Sequence, residues 1–197
     1  MSVLLAALLV ANLQPVSTPP TISLAVQDDA GVPSDWLRQA KEELERIYRE
    51  IEVKIVWWDP GRPESQGNGA IVPQNLLTIA IRRNSTSLQN TLPDNTIGIA
   101  SGTASERGRV AYVFYGQTEQ FTPLVRGRYL GHFMAHELGH LLLPLYSHSA
   151  TGLMRGRWNR EDLERAQHGL LRFTPEQATL IRSRATELAA GVTNRPR

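Results

Sequence analysis

The sequence predicts an α+β fold: a mixed, twisted sheet of about four to five strands with a long N-terminal helix, a second long helix in the middle of the chain, and C-terminal helices. Three observations predict it. Short segments with period-two apolar alternation or β-branched and aromatic content recur through residues 21–117. Two longer segments, 34–51 and 123–143, carry apolar residues at three- and four-residue spacing. The resulting order is β-α-β-β-β-β-α, then a turn and two further helices.

Each element has a local reason. In residues 21–31, Ile22, Leu24 and Val26 alternate with polar or small residues, which reads as a strand and turn. Pro33-Ser34 opens a helix with Ser34 as N-cap; Trp36, Leu37, Ala40, Leu44, Ile47 and Ile51 mark its apolar face. Glu42 with Arg46 and Glu45 with Arg49 are spaced to pair on its wet side. Residues 53–59 form a second strand closed by Pro60-Gly61, and 61–69 form a loop. Residues 75–83 are a third strand, the Gly-rich 96–102 a shorter one, and 109–117 a strong one with Val, Tyr and Phe. Thr122-Pro123 then supplies an N-cap and a proline at the first helical position. Leu124, Leu130, Phe133, Met134, Leu138, Leu141 and Leu142 carry that helix to Leu143, just before Pro144. Asn159 caps a short helix ending at Gly169; Thr174 and Gln177 have capping-box spacing at the start of the last helix, which Gly191 ends.

The 197 residues suit one domain, assigned to 21–197, preceded by a signal peptide and linker over 1–20. Residues 3–11, "VLLAALLVA", have the size of a signal-peptide core and are too short for a stable membrane span, so the expected destination is outside the cytoplasm, periplasmic or secreted. Net charge is only +2, and basic residues are scattered among acids with no run interleaved by aromatics, which argues against nucleic-acid binding. With no cysteine, thiolate-ligated metal sites and disulfide scaffolds are excluded.

The central helix carries the chemistry. His136-Glu137-Leu138-Gly139-His140 is an H-E-x-x-H motif. Histidines at i and i+4 lie one turn apart on one helix face, so both imidazoles can reach one Zn²⁺ ion, while Glu137 can act on water that the ion activates. In a chain of this composition the motif would arise by chance in on the order of one per cent of shuffles. Its helix is apolar enough to be buried, and buried histidines need partners. A catalytic zinc takes three protein ligands. Pro144 forces a bend after Leu143, and the following "PLYSH" can bring His148 to the metal from outside the helix. Glu161 or Glu164 on the next helix is the alternative third ligand, as in glutamate-type zinc peptidases. His132 lies one turn before His136; a stripe of three successive turns spans about 12 Å, so His132 reads as a packing or supporting histidine. His168, near a helix end, reads as a capping or surface residue.

This pattern resembles the metzincin clan of zinc metallopeptidases, which carries H-E-x-x-H-x-x-G-x-x-H and then a methionine turn. Here "HELGHLLLPLYSH" is followed by "SATGLMRG", with Met154 six residues after His148. The clan's glycine falls at Leu143 and its third histidine at Tyr146, so the bend is two residues longer. The resemblance implies a zincin-like fold with the central helix as active-site helix, and Met154 beneath the ligands. It implies peptide or protein substrates and peptide-bond hydrolysis with Glu137 as general base. It leaves Tyr146 as a candidate switchable ligand or hydrogen-bond donor. The wider pattern is also similar to uncharacterised bacterial exported metalloproteins, a likeness that carries no substrate. The strand at 109–117, if at the sheet edge, would pair with an extended substrate. A zinc protein without enzymatic activity is the competing class.

Overall fold

In the computed structural model, residues 18–59, 72–84, 96–102, 107–145 and 147–191 are described. Apolar alternation builds β1 (Thr21–Asp28), which buries Ile22 and Leu24 completely. The chain returns through α1 (Ser34–Glu50) to β2 (Lys54–Trp57), parallel to β1. Then come β3 (Leu77–Arg82), β4 (Gly98–Gly102) and β5 (Arg107–Phe114), giving a five-stranded sheet of order β2-β1-β3-β5-β4. Only β4 runs antiparallel to its neighbour, β5. The architecture is therefore the mixed α+β arrangement expected from the element order.

One expectation needs correction. The strong strand at 109–117 is not an edge: β5 is bonded to β3 on one side and β4 on the other. It also ends earlier, because a 3-10 turn (Tyr115–Thr118) takes over at Tyr115, fixed by Gly116 N–H donating to the Arg83 carbonyl at 2.8 Å. Among the described residues the edges are β2 and the short, Gly-rich β4, whose pairing with β5 shifts register between Ala100 and Gly102. Such irregularity is common on edges.

Helix α1 begins one residue earlier than expected. Pro33 is the N-cap and Ser34 already helical, with no side-chain cap. Its ion pairs also differ from the predicted set. Arg46 takes Glu43 and Glu50, Arg38 takes Glu42, and Glu45 accepts from the Trp57 indole instead of pairing with Arg49. Glu43 and Glu50 lie at i−3 and i+4 from Arg46 and are its neighbours on the helix surface just as Glu42 is; the packing of α1 decides between them.

Helix α2 (Pro123–Leu142) has Thr122 in extended conformation before Pro123, though the threonine side chain makes no capping bond. From Tyr129 to Gly139 every residue is buried, because α2 is enclosed by α1, β4, β5, α3 (Arg160–Gln167) and α4 (Pro175–Ala189). A helix apolar nearly all round belongs in such a central place. The Tyr48 hydroxyl of α1 donates to the Ala135 carbonyl at 3.2 Å, tying the two long helices together. Both later caps form as capping boxes, Asn159 with Asp162 and Thr174 with Gln177. No helix among the described residues is long and apolar enough to cross a membrane. The segment assigned as signal peptide, the Pro60-Gly61 turn with its loop, and Tyr146 lie outside the described residues.

Candidate metal centre

Three of the four groups in the centre come from the last turns of α2, and the fourth comes from the bend that follows. Leu143 leaves the helix in extended conformation, as a residue before proline prefers. The chain then brings His148 back to His136 and His140. Ring centroids lie 4.8 Å apart for His136–His140, 5.6 Å for His136–His148 and 4.8 Å for His140–His148. One nitrogen from each ring falls within 4.8 Å of the others, so the cluster could hold a metal ion.

Hydrogen bonds fix which nitrogens face inward. Nδ1 of His136 lies 2.7 Å from the Leu153 carbonyl and can only donate to it, which leaves Nε2 bare. Nδ1 of His140 lies 3.3 Å from Ser147 Oγ, which orients that ring in the same sense. The two Nε2 atoms then meet at 3.1 Å. His136 Nε2 carries no proton, so the two rings are joined either by a proton on His140 Nε2 or by a shared cation. A tetrahedral zinc with Zn–N bonds of about 2.0–2.1 Å separates its ligand nitrogens by about 3.3 Å, so the donor set fits zinc. Burial keeps the rings neutral, as ligands must be: His136 is held down to about 3 and His140 to about 4, each lowered first by desolvation and then by a neighbouring histidine. His148 is also lowered by burial, although it lies on the open side of the site.

Glu137 lines the cleft beside the histidines. It is 2% exposed, and its Oε2 has no hydrogen-bond partner among the described residues. Burial alone pushes its carboxyl up to about 8. Strand β4 crosses directly over it: a Cβ on Gly98 would sit 2.6 Å from Glu137 Cγ and 2.3 Å from the Tyr112 carbonyl. Glycine is thus required for β4 to approach both β5 and α2 so closely.

Beneath the histidines the chain turns through Gly152, at φ +78°, and Arg155 N–H closes the turn on the Gly152 carbonyl at 3.1 Å. Met154 is fully buried there, its sulfur so close to α2 that a Cβ on Gly139 would meet it at 2.6 Å. The Leu153 carbonyl accepts a second bond, from the Trp158 indole at 3.1 Å, and Trp158 packs edge-on to both His136 and His132. Arg155 is pinned to Asp162 at 3.0 Å, and Gly156 lies against the His148 ring. These walls enclose a cleft of about 520 Å³ floored in part by Phe121, Phe133 and Trp158.

The remaining sequence candidates lie elsewhere. His132 is fully buried, with Nδ1 on the Arg128 carbonyl at 3.0 Å and Nε2 3.4 Å from Glu43, a packing position behind the centre. Glu161 and Glu164 pair with Arg165 and Arg160 on the outer face of α3, and neither joins the histidine cluster. His168 bonds the Glu164 carbonyl near the end of α3. The Leu153 carbonyl, Ser147, Gly98 and Trp158 were not among the candidates. A backbone carbonyl leaves no mark in a sequence, whereas a glycine inside a strand does signal close approach.

No protein-family model matches the chain, and no curated protein sequence does. Solved structures do. An archaemetzincin from Methanopyrus kandleri superposes with TM-score 0.54 at 16% identity, covering 86% of this chain and 98% of its own. An archaemetzincin from Archaeoglobus fulgidus gives TM-score 0.50 at 13% identity, covering 81% and 99%. At such identities the likeness is one of fold: this chain has the α+β fold of the archaemetzincins, with a three-histidine cluster that could bind zinc.

Proposed function

We propose that this protein is a zinc-dependent metallopeptidase that hydrolyses peptide bonds in an endopeptidase-like manner. One arrangement carries the reading: two Nε2 atoms 3.1 Å apart with a third histidine beside them, next to a buried carboxyl whose Oε2 has no partner among the described residues, all on one cleft. His136, His140 and His148 hold the metal. Zinc supplies Lewis-acid chemistry at this place, activating water and polarising the scissile carbonyl. Glu137 takes the proton of the attacking water on Oε2 and passes it to the leaving amine.

The free side of β4 binds the substrate as an added strand. Among the described residues β4 has a single strand partner, and Gly98, Ile99 and Ala100 line the cleft beside Glu137. Met154 supports the histidines from below in the manner of a metzincin methionine turn, holding the Leu153 carbonyl against His136. Residues 21–197 act as one domain, and the chain is exported by way of the signal peptide and linker in residues 1–20.

The test is hydrolysis of a broad peptide library by the zinc-loaded full chain. Cleavage should be abolished by a chelator and restored by zinc. Zinc-loaded Glu137→Gln should keep its metal and lose about 10²- to 10⁴-fold in rate. Stoichiometric zinc without cleavage of any peptide would overturn the reading in favour of a non-enzymatic zinc protein.

A further inference from the structure

One guanidinium group of the cleft has no structural use among the described residues. The cleft lining includes two guanidinium groups, Arg155 and Arg157. Arg155 is neutralised by Asp162, which is buried and also accepts from Asn159 N–H. Arg157 has no hydrogen bond or ion pair among the described residues. The arginines that flank it, Arg155 and Arg160, both have carboxylate partners. Exposed at the lip, it therefore presents an open fork of donors to whatever enters.

Its place is fixed by its neighbours. Gly156 lies against the ring of His148, where a Cβ would meet Nδ1 at 2.9 Å, and Trp158 is bonded to the Leu153 carbonyl. The residue between them is thus held on the His148 side of the centre. Arginine's reach, set against a rise of about 3.3 Å per residue in an extended peptide, covers roughly two residues from the scissile bond.

We infer that Arg157 determines specificity by binding a substrate carboxylate within about two residues of the scissile bond, so that acidic peptides are the preferred substrates. The carboxylate is an Asp or Glu side chain or the free C-terminus of the peptide; both offer the same bidentate partner to a guanidinium. This rests on the peptidase reading for its substrate class but not for its binding chemistry.

Binding is measured on the zinc-loaded Glu137→Gln chain and cleavage on the zinc-loaded wild-type chain. The probes are matched peptides with Glu or Gln at each flanking position, each with a free or an amidated C-terminus. Peptides with the carboxylate should bind roughly tenfold more tightly than their amides, as a charge-assisted hydrogen bond warrants. Arg157→Gln should erase the preference, Arg157→Lys should keep part of it, and Arg157→Glu should turn it toward Lys-containing peptides. Loss on side-chain substitution or on C-terminal amidation identifies which carboxylate is read. Equal binding of acid and amide peptides, or a preference that survives Arg157→Gln, overturns the inference. Binding that discriminates without any cleavage would sink the peptidase reading alone.

Discussion

His136 Nδ1 and the carbonyl oxygen of Leu153 lie 2.7 Å apart, joining α2 to the turn that carries Met154. That bond fixes the tautomer that leaves Nε2 of His136 free to ligate, and Ser147 Oγ, at 3.3 Å from Nδ1, orients the His140 ring. Ser147→Ala should therefore lower zinc affinity about tenfold while leaving thermal stability near that of wild type. Competition with a chromogenic chelator measures the first and a melting curve the second; unchanged zinc affinity would remove Ser147 from the centre.

Met154 tests the floor of the site. The side chain is fully buried against Gly139. Met154→Leu preserves volume and should cost less than about 1.5 kcal/mol. Met154→Ala opens a cavity and should cost about 2–5 kcal/mol, and it should weaken zinc retention through Leu153. Equal stability of the two variants in denaturant titrations would contradict this packing.

Gly98→Ala tests the contact between β4 and Glu137. The new methyl would fall within bonding distance of both the Tyr112 carbonyl and the Glu137 side chain, so the edge strand must move outward. Overpacking of this kind costs about 1–3 kcal/mol. Zinc should stay bound, because the atoms nearest the added carbon belong to Tyr112 and Glu137 and not to a histidine, whereas cleavage should fall. Full activity with unchanged melting would show that β4 is not held there.

His132 gives a pH prediction whose sign follows from its burial. Desolvation outweighs the attraction of Glu43 and holds the ring down to about 4. The unfolded chain takes up this proton near pH 6.5, so between those values the unfolded state binds more protons. The contribution of His132 is complete above about pH 6.5 and is lost as pH falls toward 4, amounting to about 3 kcal/mol. His132→Phe removes the titration. Metal-free wild type should lose more stability than this variant between pH 7 and pH 5; parallel curves would contradict the assignment.

The legible part of this molecule was the part written locally. His136 and His140 share one helix, so the i,i+4 spacing alone put their rings side by side. Pro144 announced the bend that returns His148, and the Asn159 and Thr174 caps carry their own sequence signature. What escaped depends on packing between distant segments. Whether β4 or β5 is the edge is decided by β3 pairing with β5, across a gap of about thirty residues. Arg46 prefers Glu43 over Glu42 because Glu43 lies on the face toward α2 and His132. Gly98 reaches Glu137 only once the sheet closes over α2.

The central claim is that three histidines, and no carboxylate, hold the metal. Zinc affinity measured by chelator competition on His136→Ala, His140→Ala, His148→Ala, Glu161→Ala and Glu164→Ala tests it most directly. The three histidine variants should each lose zinc by orders of magnitude, with the two glutamate variants matching wild type. Retention by His148→Ala together with loss in Glu161→Ala or Glu164→Ala would contradict the account.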